Sequence, residues 1–563
     1  MKILTLHCDY IKFKALKKAL KSVEDVESKE VVVKGNPLVV LTAVEKGDNE
    51  KDSVDDLIKE IVDIAERVKT DNIVLYPYAH LSSNLGSPDL AIEILKKAEE
   101  ELKNKNFKVS VAPFGYYKEF ELKVKGHPLS ELSREIVSGV EGEDEESYNV
   151  KNLLRSISKT TLDREKLKDN DHRIIGRNLD LFSFNETAPG MVFFHNNGLI
   201  IWNEIIKYWK EVHEKAGYHE IRTPQILDEK LWKISGHWEK YKENIFLTEY
   251  EKRMFAVKPM NCPGGMLVYK NSSKSYKDFP LRVAELGIVH RQELSGVLSG
   301  LFRVIQFTQD DAHIYCTEEQ IEEEVVGIMK LVDEIYKKFG MKFRVELSTR
   351  PEKRIGSDDI WDKTEKILER VLKKQKVNFK INKGDGAFYG PKIDFHLKDS
   401  LGREWQTATI QLDMSMPERF ELEYTDKDNK KKRPLMLHRT VLGGIERFYG
   451  ILVEHLNGAF PTWLSPIQVR VINFTDRNTK AAEKIVKELK EAGIRVDFDF
   501  ESTRVNEKVR DASILKIPFI VTVGDKEEKD GTLAVRTRDG KLKYNVKVTD
   551  FIKEIKKLIE ERN

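Results

Sequence analysis

Apolar positions recur along the chain at two periods, and the change from one to the other divides it. Up to about residue 145, short β-rich runs (KILTL, NPLVVLTAV, NIVLY, KVSVA, EFELKV) enclose helical patterns such as Val54, Leu57, Ile61, Ile64 and Val68. In EFELKV, Phe120, Leu122 and Val124 alternate with charged residues, the period of a half-buried strand. After about Leu464 a second α/β pattern follows. It runs through VRVIN, a helix with Ala482, Ile485, Leu489 and Ala492 on one face, IRVDFDF, FIVTV, and a closing helix through Phe551, Ile555 and Leu558. The largest block lies between them. There, Ile201, Ile205, Trp209, Val212 and Ala216 share one face of a helix that precedes a short run at residues 218–222 and then Pro224. The acidic run EGEDEES and the polar, weakly periodic stretch after it predict a linker or a small helical connector. The expected organisation is an α/β domain over 1–145, a linker over 146–185, a central domain over 186–464 and a smaller α/β domain over 465–563.

Charge and composition refine this. The 563 residues hold 96 Lys and Arg against 94 Asp and Glu, a balance that excludes the charge-repelled disordered class. The balance is uneven: the first 150 residues hold 22 basic and 29 acidic side chains, a net −7, which leaves +9 for the rest. Three cysteines, Cys8, Cys262 and Cys316, are too few and odd in number for a disulfide framework, so a reducing compartment is expected and each is free to ligate a metal. The opening lacks a long apolar stretch and no run of about 18 apolar residues occurs, so neither export nor membrane spanning is indicated and a cytoplasmic location is expected.

The central block carries the candidate chemistry. RVAELGIVHRQE and LFRVIQFTQDDAHIYC are two strand-like runs joined by a loop rich in Gly and Ser, and each presents an arginine, Arg291 and Arg303. Guanidinium forks facing one groove suit phosphate or carboxylate, although either arginine taken alone is more often half of a surface ion pair. In HRTVLGGIERFYG, Gly443 and Gly444 precede Arg447 in a helical pattern and permit close backbone approach to a ligand.

These stretches resemble the three motifs of the class II aminoacyl-tRNA synthetase core, specifically that of the threonyl-tRNA synthetases. The helix and run ending at Pro224 are similar to the motif that builds the family's homodimer interface. The paired runs are similar to the second motif and LGGIERF to the third. The resemblance implies an antiparallel sheet flanked by helices, with ATP bound on it in a bent form together with Mg2+. It places Arg291 on the α-phosphate, Glu293 on the adenine amino group, and Arg303 and Arg447 on the γ-phosphate. It also implies one zinc ion per subunit held by Cys262 in KPMNCPGG, His313 in TQDDAH and His438 in LMLHR. Such an S, N, N set keeps a position open. That position would accept the amino and hydroxyl groups of L-threonine, with Asp311 receiving substrate hydrogen bonds, so that valine is rejected. Gln309, Tyr389, Lys392 and Gln411 lie in stretches that line the family's pocket, and Gln406 falls on the nucleotide side. Gly265 stands where the family pattern has histidine.

A metal that grips an amino and a hydroxyl group cannot exclude serine, since a missing methyl is worth only about 1–3 kcal/mol. Hydrolysis of mischarged seryl-tRNA is therefore expected. The HxxxH motif of bacterial-type editing domains is missing, because none of the 13 histidines stands four residues from another. Residues 1–145 instead resemble the N-terminal domain of archaeal members, whose fold is similar to D-aminoacyl-tRNA deacylases, through LHCDY, YPYAHLSSNLG and APFGYYKEFELKVKGHPLSE. The resemblance sets His80, Tyr117, Lys118 and Glu131 around the ester of the terminal adenosine. The last hundred residues, with a net charge of +4, resemble the anticodon-binding domain of several class II enzymes. Asn506, Arg510, Glu527 and Arg536 match its base readers there, although the segment between Asn506 and Arg510 is about four residues shorter than the family pattern. The basic run KKKR (Lys430 to Arg433) reads as a solvated hairpin tip.

The expected protein is thus an α/β and α+β multidomain, homodimeric enzyme that joins L-threonine to tRNA(Thr) and binds no membrane. Two other readings stay open on sequence alone. One is a tRNA-binding regulator that has lost activation, disfavoured because Arg291, Glu293, Arg303, Arg447 and the three ligands occur together. The other is a ligase whose first 145 residues only dock tRNA.

Overall fold

The computed structural model describes residues 1–20, 23, 25–82, 84–136 and 167–563; the run EGEDEES and residues 146–166 of the expected linker lie outside them. The chain forms two compact units, Met1–Asn149 and Val150–Asn563.

The first unit is one seven-stranded sheet of β1 (Lys2–Lys18), β2 (Val31–Lys34), β3 (Leu38–Ala43), β4 (Asn72–Pro77), β5 (Lys108–Val111), β6 (Tyr116–Val124) and β7 (Glu131–Glu135), with helices α1 (Glu50–Val68) and α2 (Pro88–Asn104). KILTL predicts a short strand, yet β1 runs for 17 residues. The alternation continues through Ile11, Phe13 and Ala15, all buried, so the strand can pair twice. Its first half joins β3 and β7, and its second half joins β2 and β6, all antiparallel. Strands β3, β4 and β5 are parallel, joined by α1 and α2 as crossovers. The α1 stripe Val54, Leu57, Ile61 and Ile64 is buried, and the Asn49 side chain accepts the Asp52 N–H at its start.

The second unit opens with α3 (His172–Asn178) and α4 (Asn196–Lys215). Eight strands follow in one sheet: β8 (His219–Glu220), β9 (Leu281–His290), β10 (Gln306–Cys316), β11 (Lys342–Ser348), β12 (Phe379–Asn382), β13 (Lys392–Lys398), β14 (Glu404–Asp413) and β15 (Leu435–Thr440). Their spatial order is β8-β9-β10-β15-β14-β13-β11-β12, antiparallel except for the parallel pairs β8/β9 and β11/β12 at the two edges. Among the helices of this part are α5 (Cys262–Lys270), α6 (Ile321–Lys338), α7 (Asp358–Lys374) and α8 (Ile445–His455). Over its described part the expected linker holds the short helix α3 and is packed against the core. Ile175, Leu181 and Phe182 are buried in the same core as Trp209, Phe395 and Tyr449, and that burial outweighs the weak periodicity of the segment.

A glycine shows how closely this segment packs. A Cβ on Gly198, in the first turn of α4, would lie 1.9 Å from the backbone oxygen of Leu181. Gly198→Ala is expected to destabilise the unit by roughly 1–3 kcal/mol through overpacking, seen as a lower thermal midpoint; an unchanged midpoint would mean that the Leu181 backbone moves aside at no cost.

The chain closes with β16 (Val469–Asn473), β17 (Val496–Asp499), β18 (Phe519–Val523), β19 (Thr532–Thr537) and β20 (Leu542–Lys547) in the order β17-β16-β18-β19-β20, the first three parallel. Around them lie α9 (Thr479–Glu491), α10 (Val505–Ile514), α11 (Asp525–Asp530) and α12 (Val548–Glu560), with Ala482, Leu489, Phe551 and Ile555 buried as their spacing predicts.

Candidate active site on the eight-stranded sheet

Register builds this site. His313 on β10 pairs with His438 on β15, His438 with Gln411 on β14, and Gln411 with Lys392 on β13, which makes one lateral row across four strands. Gln309, Asp311 and His313 alternate along β10, so all three face the same side. The alternation sends Asp310 to the other face. There it takes the Arg439 guanidinium at 2.8 Å, with both side chains fully buried, and accepts the N–H groups of Val441 and Leu442.

Cys262 reaches the row from the start of α5. The ligand atoms of Cys262, His313 and His438 all lie within 4.8 Å of one another, and the three residues are buried. The turn before α5 is set by a fit that single-residue reading misses. Asn261 packs on Gly287 of β9, where a Cβ would stand 2.0 Å from its side-chain oxygen. Beside it, buried Lys258 donates to Glu285 at 2.8 Å and to the Thr223 hydroxyl at 2.9 Å, and Glu285 accepts the Thr223 N–H at 2.8 Å. The signal in the sequence is a glutamate at an interior position of a strand.

The donor set fits a metal ion. Asp413 holds His438 Nε2 at 2.9 Å, which leaves Nδ1 as the open ring nitrogen. His313 Nε2 is buried without a hydrogen-bond partner, and burial holds its ring well below the usual imidazole range. Burial likewise raises the Cys262 thiol well above its ordinary value and pushes the Asp311 carboxyl up to about 7. A cation of suitable size would relieve these unmet groups together, and an S, N, N set suits zinc. A Cβ on Gly265 would touch His313 Nδ1 at 3.6 Å, so the departure from the family pattern lies against a candidate ligand. The second cluster of this kind among the described residues, Asp171, His172 and Glu454, has both imidazole nitrogens engaged by protein groups.

A cavity of about 370 Å³ opens beside the row. Cys262, Arg291, Gln309, Asp311, Tyr389, Lys392, Gln411 and His438 line it, as do Tyr241, Met260, Asp385, Phe388, Thr409 and Arg439, which the sequence reading did not single out. The Tyr389 hydroxyl donates to Gln411, and Lys392 pairs with Asp394 at 2.9 Å and Asp385 at 3.0 Å. Arg291 donates from Nε to the Pro259 carbonyl at 3.1 Å and lies over the Phe307 ring at 5.1 Å. Arg303 donates to Glu293 at 2.8 and 3.1 Å. Arg447 lies over the Trp405 ring at 5.4 Å, and its guanidinium is shifted down by burial and then by the like charge of Arg303. Two arginines that repel one another across an open face suit a polyanion. Gln406 is exposed and donates to Asp394 at 2.7 Å; it does not line the cavity.

The first unit holds a separate cavity of about 530 Å³, lined by His80, Tyr117 and Lys118 together with Tyr76, Tyr78, Tyr116 and Phe120. Lys118 Nζ donates to the carbonyls of Pro113 at 2.9 Å and Tyr116 at 3.3 Å and lies 5.0 Å over the Tyr76 ring. Burial lowers its ammonium to about 8. Glu131 is not brought to this cavity. It pairs with Leu6 near the start of β1, whereas Tyr117 pairs with Lys17 near its end.

In the last domain Asn506 and Arg510 are exposed on one face of α10, and Arg510 pairs with Asp511 at 3.3 Å. Glu527 accepts the Gly524 N–H at 3.1 Å at the start of α11, and Arg536 pairs with Ile520 across β18 and β19. Lys431 and Lys432 form the exposed arm of a hairpin against Tyr424 and Thr425, as read from the sequence. Among the described residues no helix is long and apolar enough to cross a membrane.

Comparison with known proteins agrees with this arrangement. Residues 1–136 match the archaea-specific editing domain of threonyl-tRNA synthetase, 246–456 the class II tRNA synthetase core domain (G, H, P, S and T), and 468–558 the anticodon binding domain. A threonine–tRNA ligase of Desulfatibacillum aliphaticivorans is 54% identical over 399 residues, 71% of this chain and 63% of that protein. One of Clostridium tetani is 52% identical over 398 residues, 71% of this chain and 62% of that protein. The chain thus spans somewhat less than two thirds of the length of these relatives. The crystal structure of the RNA binding domain of threonyl-tRNA synthetase from Cryptosporidium parvum superposes with a TM-score of 0.67 at 38% identity, over 69% of this chain and 98% of that one. The chain belongs to the threonyl-tRNA synthetase family, in the form that carries the archaea-specific editing domain.

Proposed function

We propose that this chain activates L-threonine with ATP to threonyl-adenylate, transfers the threonyl group to tRNA(Thr), and hydrolyses seryl-tRNA(Thr) in its first unit. The observation that carries the reading is the row His313–His438–Gln411–Lys392, with Cys262 at one end and Arg291 at the cavity wall. Cys262, His313 and His438 would hold one zinc ion, which when bound supplies a Lewis-acidic position for the amino and hydroxyl groups of threonine. Asp311 receives the substrate's N–H bonds. Tyr389 and Gln411, already bonded to each other, close the pocket around a small side chain. Arg291, fixed by Pro259, takes the α-phosphate where charge grows as the threonine carboxylate attacks and pyrophosphate leaves. Glu293 separates from Arg303 to read adenine, which frees Arg303 to join Arg447 on the γ-phosphate, with Mg2+ accompanying the nucleotide and Gln406 on its side.

In the first unit Lys118, held over Tyr76, polarises the ester carbonyl in a cavity whose other walls are aromatic and apolar, with His80 and Tyr117 at its rim. Glu131 stands outside the lining of this cavity. The last domain would read the anticodon through Asn506, Arg510, Glu527 and Arg536, and its basic balance supports RNA binding. Three free cysteines support a cytoplasmic protein. The helix α4, which leaves Leu199 46% exposed, supports a homodimer through that surface. The domains are then 1–145, 186–464 and 465–563, with the connecting segment 146–185 between the first two.

Lys118→Met tests the editing half because it removes the charge and keeps the bulk. We expect threonylation within about twofold of wild type and accumulation of seryl-tRNA when serine is supplied. Serine mischarging that stays at the wild-type level would leave residues 1–145 without a hydrolytic role.

A further inference from the structure

The segment ahead of the catalytic core bears directly on the nucleotide site. His172, the first residue of α3, is fully buried. Its ring Nδ1 stands 2.7 Å from Glu454 Oε1, which also accepts the His172 backbone N–H at 2.9 Å, and its Nε2 accepts the N–H of Leu301 at 2.9 Å. The carboxylate requires a proton on Nδ1 and the amide requires a lone pair on Nε2, so these partners select one neutral tautomer. What this holds is the end of the loop that carries Arg303. Phe302 lies on the imidazole at 4.3 Å and on the Trp405 ring at 4.5 Å, and Trp405 in turn carries Arg447. Glu454 Oε2 closes the ring through Arg403 at 2.7 Å, whose guanidinium lies 5.0 Å over Trp405. Gly300 has φ +50°, and a Cβ there would stand 2.2 Å from His172 Nε2, so the loop can dock on the imidazole only through a glycine.

We propose that His172 is a positioning residue for ATP, setting the spacing of Arg303 and Arg447 through Leu301, Phe302 and Trp405. It rests on the reading of those two arginines as the γ-phosphate contacts. Neither arginine touches His172. The effect passes along a chain of tilted ring contacts that starts at the buried imidazole and runs through the half-buried Phe302 to the half-buried Trp405.

The test is threonine-dependent ATP–pyrophosphate exchange on the full chain. His172→Asn keeps a donor near Glu454 and loses the acceptor for Leu301; His172→Gln can place an amide oxygen near that N–H. We expect His172→Asn to raise KM for ATP about tenfold with KM for threonine within twofold, and His172→Gln to recover most of the loss, while bound zinc stays near wild type. A purely structural histidine would instead move both KM values together. An unchanged KM for ATP in His172→Asn would overturn the proposal. Wild-type enzyme without exchange, or Arg303→Ala with an unaltered KM for ATP, would sink the underlying reading of the arginines instead.

Discussion

Arg291→Ala is expected to slow threonine-dependent pyrophosphate exchange on the order of 10²–10³-fold, the loss that follows removal of one preorganised donor to a developing negative charge. The geometry explains why the effect should fall on kcat. Arg291 is held before any substrate arrives, by its own Nε on the Pro259 carbonyl and by the Phe307 ring beneath it, so little reorganisation is needed as charge builds on the α-phosphate. Burial lowers the guanidinium from its usual value, and an electrostatic contact at this half-buried position is worth more than one at the surface. KM for threonine should change little because the amino and hydroxyl groups of the amino acid are gripped by the metal and Asp311 and not by Arg291. Arg291→Lys is expected to recover only part of the rate, because a point charge cannot reproduce the fork. Exchange near the wild-type rate in Arg291→Ala would remove this residue from the chemistry.

What could be read in advance follows from the range over which each feature is encoded. Strand alternation is local, so the shared face of Gln309, Asp311 and His313 and the stripe of α1 are written in a few neighbouring residues. Pairing register is not local. That His313 would meet His438 across β15 was available only through likeness to a family, and no period in the sequence yields it. The same limit explains the misreadings. The segment at 167–185 is polar overall, but Ile175, Leu181 and Phe182 suffice to bury it once the sheet exists to receive them. The family likeness groups Glu131 with Lys118, whereas the doubled pairing of β1 sends the two toward opposite ends of one long strand. The Lys258–Glu285–Thr223 trio and Asp413 behind His438 went unseen because a buried charge is legible only when its partner is known, and each partner lies at least 25 residues away.

Stringent chelation is expected to abolish threonine activation, with Zn2+ restoring it, and this is the largest effect that the site predicts. Without a cation, the buried His313 Nε2 and the Cys262 thiol have nothing to ligate and the pocket offers the amino and hydroxyl groups of threonine no Lewis acid. The amino and hydroxyl groups would then exchange water for unmatched surroundings, a cost that compounds because both must be buried at once. Serine should activate on the metal-loaded enzyme and valine should not, since valine presents no second ligating group and leaves the open position unfilled. Asp413→Asn separates the metal's hold from its chemistry. It keeps the size of the group behind His438 and removes the charge that fixes the ring, so zinc affinity should fall roughly 10–100-fold, while enzyme saturated with Zn2+ should retain most of its activity. Full exchange activity in protein shown by metal analysis to hold no zinc would mean that the three ligands are a structural knot, and the selection of threonine over valine would have to come from the shape of the cavity alone.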